Sequence, residues 1–135
     1  MNLTIDTFAW LELIRDTPAA GNIRAAMMDA EETFTPSIVL AEVAGSCHRA
    51  AMSDELVAME LNAIREGSIV IPIDAAIAIA GAHALDELRS RARERRNPLP
   101  GLADALILAT ARALESRLLT GDPHFEGFPE TVWIP

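Results

Sequence analysis

The sequence predicts an α/β fold with a central parallel sheet, and three observations predict it. Short β-prone stretches alternate with longer stretches of helical period along the whole chain, the pattern that makes strands parallel neighbours joined by helical crossovers. Half of the residues are hydrophobic and only 4% are aromatic, a composition dominated by Ala, Ile and Leu that suits a helix-rich globular chain rather than a disordered one. The length of 135 residues fits one domain, residues 1–135, able to bury about 68–70% of its unfolded surface around one continuous core. No linker, repeat or low-complexity segment divides it.

Residues 2–6, "NLTID", read as a first strand, and "TFAWLELIRD" follows as a helix. Thr17 and Pro18 read as the N-cap and first position of a second helix reaching about Glu31. "TFTP" is a short β-prone segment. With Ser37 as N-cap a helix runs to about Ala51, and Ser53 caps another that stops at Gly67. "SIVIPI", residues 68–73, has the best strand character in the chain. Asp74 then caps a long helix through Arg96 that "NPLPG" terminates. A helix from about Gly101 to Ser116, a buried strand "RLLT" at 117–120 and a last short strand in "TVWIP" at 131–135 complete the series.

All 11 basic residues are arginine, and lysine is absent. P-loop nucleotide chemistry and Schiff-base catalysis are thereby excluded, since both need an ammonium group. The single cysteine, Cys47, rules out an internal disulfide. No run of about 18 apolar residues is free of charge, and "MNLTIDTFAWLELIRD" lacks a basic n-region, so the expectation is a cytoplasmic protein with no membrane span. A net charge of −9 works against a nucleic-acid partner, yet Arg89, Arg91, Arg93, Arg95 and Arg96 crowd into eight residues.

Parallel α/β sheets bind ligands at the carboxyl ends of their strands. Asp6 ends the first strand, and Asp122 in "LLTGDPHF" follows the late one. Glu42 is the one acid among seven otherwise apolar positions from Ile38 to Ala44, and Asp104 stands alone in "GLADALILAT". An Asp early in a helix can simply favour the positive end of the macrodipole, which is the structural reading of Asp104. A structural carboxylate inside a helix usually pairs with a base three or four residues away. Those positions hold Ile38, Val39, Gly45 and Ser46 around Glu42, and Pro100, Gly101, Ile107 and Leu108 around Asp104. Acids so placed need hydrogen bonds, a distant arginine or a cation. Together the four offer only oxygen ligands, the choice of Mg²⁺ or Mn²⁺. Two carboxylates ~5 Å apart at an effective dielectric of about 20 repel by roughly 3 kcal/mol, so four converging ones demand cations or protons. A divalent ion held this way activates water and neutralises a phosphoryl oxygen, which is what phosphodiester hydrolysis requires.

On "TIDTFAWLELI", "TPSIVLAEV" and above all "LPGLADALILATARALESRLLTGDPHFEGFP", the chain closely resembles the PIN-domain nucleases, and within them the toxins of VapBC-type toxin–antitoxin pairs. The resemblance implies a PIN-like fold, a parallel sheet of five strands flanked by helices. It implies a Mg²⁺- or Mn²⁺-dependent endoribonuclease whose metal-binding acids match Asp6, Glu42, Asp104 and Asp122, with Thr7 and Thr120 as supporting hydroxyls. RNA as substrate, a homodimer and a cognate antitoxin that masks the site are implied with it. A non-catalytic PIN-like module that binds RNA or protein is the alternative on the same residues. A receiver-type phosphorylation module also gathers acids around Mg²⁺, but it needs the lysine this chain lacks.

His124, two residues beyond Asp122, is placed either to touch substrate or to order its loop with Phe125. Arg89, Arg93 and Arg96 share one face of a helix by their spacing of four and three, and are candidates for contact with RNA phosphates; the plain alternative is a solvated helix face. Cys47 and His48 are neighbours on a helix, pointing about 100° apart, so they form no dyad and Cys47 reads as a core thiol. His83, amid alanines, reads as structural.

Overall fold

The first strand becomes the middle of the sheet. In the computed structural model, which describes residues 1–135, β1 (Leu3–Ile5) is buried at all three positions. It pairs in parallel with β2 (Thr33–Pro36) on one side and β4 (Arg117–Thr120) on the other. Beyond them lie β3 (Ile69–Ile71) and β5 (Thr131–Trp133), giving five parallel strands in the order β3-β2-β1-β4-β5. Helices α1 (Thr7–Ile14) and α2 (Ala20–Asp29) join β1 to β2, and α3 (Ser37–Arg49) and α4 (Asp54–Gly67) join β2 to β3. Then α5 (Ala75–Glu94) and α6 (Leu102–Ala113) return the chain across the sheet to β4, and a short 3₁₀ turn, Pro123–Phe125, precedes β5.

This order places the functional edge. The chain moves outward from β1 to β3 and then resumes on the opposite side of β1, so the direction of winding switches between β1 and β4, where Ile5 is level with Leu119. A crevice opens at the carboxyl ends of two strands flanking such a switch. The residues that leave those ends are Asp6 and the segment Gly121–Asp122.

One cluster of 20 buried residues forms the main core, running from Leu3 and Ile5 through Val39, Val43 and Leu88 to Leu118, Leu119 and Phe125. Helix α6 is its inner wall, buried without a break from Ala105 to Ala111, which is why "ALILATA" is apolar all round. It lies so close to α5 that a Cβ on Gly81 would stand 2.7 Å from Leu106 Cδ2. Polar residues inside bring their partners: Thr4 Oγ1 lies 2.5 Å from Ser116 Oγ, and Trp10 Nε1 donates to Thr35 Oγ1 at 3.0 Å. No helix is long and apolar enough to cross a membrane.

The elements appear in the expected order, with four differences. Thr17 does not cap α2: its hydroxyl donates to Glu12, its carbonyl accepts from Ala20 N at 3.0 Å, and the helix starts after a turn, at Ala20. Ser37 is the first residue of α3 rather than its cap, because β2 runs directly into the helix and Pro36, in extended backbone, stands at the cap. Helix α5 ends at Glu94, not Arg96. Asn97 N bonds Ala92 O at 2.9 Å and Arg96 N bonds Arg93 O at 3.2 Å, with Arg96 at φ 56°, a left-handed termination completed before the prolines. Finally, of the run 68–73 only Ile69–Ile71 forms strand β3, which lies at the sheet edge with Ile69 49% exposed. An apolar run marks β-propensity but not how many neighbours the strand has.

Candidate functional site

Asp6 leaves the end of β1 and caps α1, its Oδ1 accepting from Ala9 N at 2.9 Å. It is 2% exposed. Burial pushes its pKa up to about 7; the Thr120 hydroxyl and the Ala9 N–H pull the other way, while the charges of Asp122 and Glu42 add to the rise. Glu42 reaches the crevice from the middle of α3, and Thr7 Oγ1 donates to its Oε1 at 2.6 Å.

Asp104 lies in the first turn of α6, and its Oδ2 accepts from Gly101 N at 3.1 Å, so the capping role available to an early helical Asp is real. That role does not exhaust it. Its pKa too is raised, first by burial, then by the charges of Asp122 and Glu42, against the opposing Gly101 N–H and His124. Asp122 follows β4 and caps the 3₁₀ turn, accepting from His124 N at 2.9 Å, while its own N–H donates to Thr120 Oγ1 at 2.9 Å.

Glu42 and Asp122 therefore act on both Asp6 and Asp104, and the four acids form one electrostatic group assembled from four separate segments. Three of them sit at the start of a helix or turn, where N–H groups orient one carboxylate oxygen and favour negative charge. No arginine is among the charges that act on Asp6 or Asp104. Of the two threonines, Thr7 donates to the Glu42 carboxylate and the Thr120 hydroxyl accepts from the backbone N–H of Asp122.

Compared with family models, residues 3–130 match the PIN domain. The chain belongs to the PIN-domain family. Among solved structures, this PIN domain shares its fold with a toxin–antitoxin complex from Klebsiella pneumoniae, 22% identical with 98% of each chain covered and a TM-score of 0.69. A second is VapBC2 from Rickettsia felis bound to a DNA fragment from its promoter, at 21% identity, 98% and 97% coverage and a TM-score of 0.69. A third is VapC20 from Mycobacterium tuberculosis, described as a sarcin–ricin loop cleaving toxin, at 20% identity, 96% and 98% coverage and a TM-score of 0.67. Compared by sequence with curated proteins, the chain matches none.

The donor set of this PIN domain fits a divalent cation. Its oxygens are hard ligands, no arginine neutralises Asp6 or Asp104, and one buried nitrogen at the same place, His124 Nδ1, has no hydrogen-bond partner. His124 Nδ1 lies 3.2 Å from Asp122 Oδ1 and 3.8 Å from Asp104 Oδ2, so the residue first considered for substrate contact sits among the acids.

The arginines divide into two groups. Arg91 Nη2 and Arg95 Nη1 both donate to Glu126 O, at 2.6 and 3.2 Å, and the Arg91 guanidinium lies 4.2 Å from the centre of the Phe128 ring. They clamp the loop that carries Asp122 and His124. Gly127, at φ 83°, leaves the room: a Cβ there would stand 2.5 Å from Arg91 Nη2. Of the three arginines placed on one helical face, Arg89 is half-buried with Nε donating to Pro100 O at 3.3 Å, Arg93 is exposed, and Arg96 is exposed beyond the helix end. The face of three on one helix is not formed. The clamp was missed because equal spacing makes Arg91 and Arg95 look like any other i,i+4 pair; Gly127 in the loop opposite was the available signal. Cys47 is a core thiol at 3% exposure and His48 is exposed, so they form no pair; His83 is exposed.

Proposed function

We propose that this PIN domain is a Mg²⁺- or Mn²⁺-dependent endoribonuclease, a hydrolase acting in the cytoplasm as the toxin of a toxin–antitoxin pair. One observation supports the reading: Glu42 and Asp122 act electrostatically on both Asp6 and Asp104 with no arginine among the charges on either, and Asp104 and Asp122 bring ligand atoms within 4.8 Å of each other and of His124. A divalent ion bound there supplies an activated water and stabilises charge on a phosphoryl oxygen. The chain's own groups hold the ligands in place: Thr7 fixes Glu42, the amides of Ala9 and Gly101 orient Asp6 and Asp104, and Thr120 holds the backbone of Asp122. Arg93 and Arg96, exposed at the end of α5, are available to meet RNA phosphates, as is half-buried Arg89.

The shared fold with solved toxin–antitoxin structures supports a cognate antitoxin as partner. An arginine from that partner, reaching the four carboxylates, would stand in for the metal's charge and silence the site. Exposed Ile73, just before α5, and Ile79, in its first turns, support a further contact between two copies as a homodimer.

The test is incubation of purified protein with structured RNA and Mn²⁺, with and without chelator. Cleavage is expected from the wild type and not from Asp104→Asn or the chelated sample. RNA bound but left intact by the wild type would instead assign the chain to the non-catalytic PIN-like binding modules.

A further inference from the structure

His124 is held in a way the four acids do not explain. Its Nε2 lies 2.9 Å from Pro98 O, and a carbonyl oxygen only accepts, so Nε2 is the nitrogen that carries the proton. In the neutral ring Nδ1 then presents a lone pair. That atom is buried, has no hydrogen-bond partner, and faces Asp122 Oδ1 at 3.2 Å and Asp104 Oδ2 at 3.8 Å. Three acceptors meet with no donor between them. A cation shared by the three, or a proton on Nδ1, relieves that conflict.

Resting on the reading of the site as a divalent metal centre, we infer that His124 is itself a metal ligand through Nδ1, making the set nitrogen-plus-oxygen rather than all oxygen. The ring has the outer support that ligating histidines carry, since the N–H opposite the ligating nitrogen is fixed by a backbone carbonyl that sets tautomer and orientation. The spacing fits as well. Adjacent ligands of an octahedral ion with bonds of about 2.1 Å stand roughly 3.0 Å apart, and one ligand atom each from Asp104, Asp122 and His124 already lie within 4.8 Å of one another. The loop is anchored on both flanks, by Asp122 accepting from His124 N and by the arginine clamp on Glu126 O, so the ring is presented rather than free to swing out.

The chemical consequence is selectivity. Imidazole favours first-row transition ions, whereas Mg²⁺ prefers oxygen and water. This site therefore prefers Mn²⁺ to Mg²⁺ through His124, and the preference is lost with the ring.

The test uses the whole chain and Mn²⁺ alone. Electron spin-echo spectroscopy of the Mn²⁺-bound wild type should show ¹⁴N coupling from a directly coordinated imidazole, and His124→Ala should abolish it. Titration followed by electron paramagnetic resonance should show Mn²⁺ affinity falling about tenfold or more in His124→Ala while Mg²⁺ affinity, measured by competition, changes less. The ¹⁴N measurement on the wild type needs no variant, so it stands even if His124→Ala folds poorly. Mn²⁺ bound without ¹⁴N coupling, and with unchanged affinity in His124→Ala, would overturn this inference alone. A wild type that binds no Mn²⁺ would overturn the metal-centre reading beneath it.

Discussion

Replacing Asp6 with Asn should make the metal-free protein more stable, increasingly so as the pH rises. Asp6 is buried, and its pKa is raised from 3.8 to about 7. The folded state thus binds a proton that the unfolded chain releases near 3.8, and the sign follows: the group contributes most below 3.8, stability falls as the pH rises through the window from 3.8 to about 7, and it levels above 7. At ~1.36 kcal/mol per pH unit the whole window corresponds to roughly 4 kcal/mol, of which about 3 kcal/mol falls between pH 5 and pH 8. Asn keeps the cap, since its side-chain oxygen accepts from Ala9 N as the carboxylate does, but it carries no charge to bury. Urea denaturation of wild type and Asp6→Asn in chelator, at pH 5 to pH 8, measures the difference directly. The curves should diverge with pH in favour of Asn, and saturating Mn²⁺ should reverse the order by stabilising only the wild type strongly. Parallel profiles in chelator would refute the reasoning, because they would mean that Asp6 ionises in the fold as easily as in water.

Asp104→Asn should raise the melting temperature of the chelated protein for the same reason, though less, since Asp104 is less buried. Arg112 bridges Glu87 in a bidentate pair at 2.7 and 3.0 Å and donates to Glu130 Oε1 at 2.7 Å, so Arg112→Ala should cost about 1–3 kcal/mol in denaturant titration. Glu87→Gln should cost under about 1 kcal/mol, because that carboxylate is half exposed. Glu87 has a lowered pKa, so its contribution is present above 4.5 and lost as the pH falls below it. Arg89, Arg93 and Arg96 changed together to Gln should weaken RNA binding alike for all sequences and reduce the slope of log affinity against log salt by up to about two for single strands. Unchanged binding would assign them to structure. In an RNA-cleavage assay, the complex with the product of the neighbouring open reading frame should be silent where the free chain is active.

The fold was legible because a parallel sheet advertises itself twice, in alternation of elements and in apolar strands. "LTI" at β1 and "LLT" at β4 are buried at every position and read as strands from composition alone. What the sequence concealed were ends and neighbours. The termination of α5 depends on Arg96 adopting a left-handed backbone without glycine, which no residue preference announces. The edge position of β3 depends on the crossover that carries α5 and α6 past it to β4, a long-range fact invisible in "SIVIPI".

The site was legible to a different depth. Glu42 and Asp104, in apolar company and without a local base, were visible one by one, and strand ends marked out Asp6 and Asp122. The arginines were visible only as a crowd. Their division follows from the electrostatics of the site: the loop holds Asp122 against the like charges of Asp6 and Asp104, so something must fix it there. An arginine paired to Asp122 itself would hold the loop but would occupy the place of the cation. Arg91 and Arg95 grip Glu126 O and the Phe128 ring instead, farther along the same loop, and Arg112 approaches that ring at 5.8 Å. Arg91→Ala should therefore weaken Mn²⁺ binding without touching a ligand, while Arg91→Lys, which keeps the charge but not the fork, should restore only part of it. Full Mn²⁺ affinity in Arg91→Ala, measured on protein that remains folded, would show that the repelling acids hold their loop unaided.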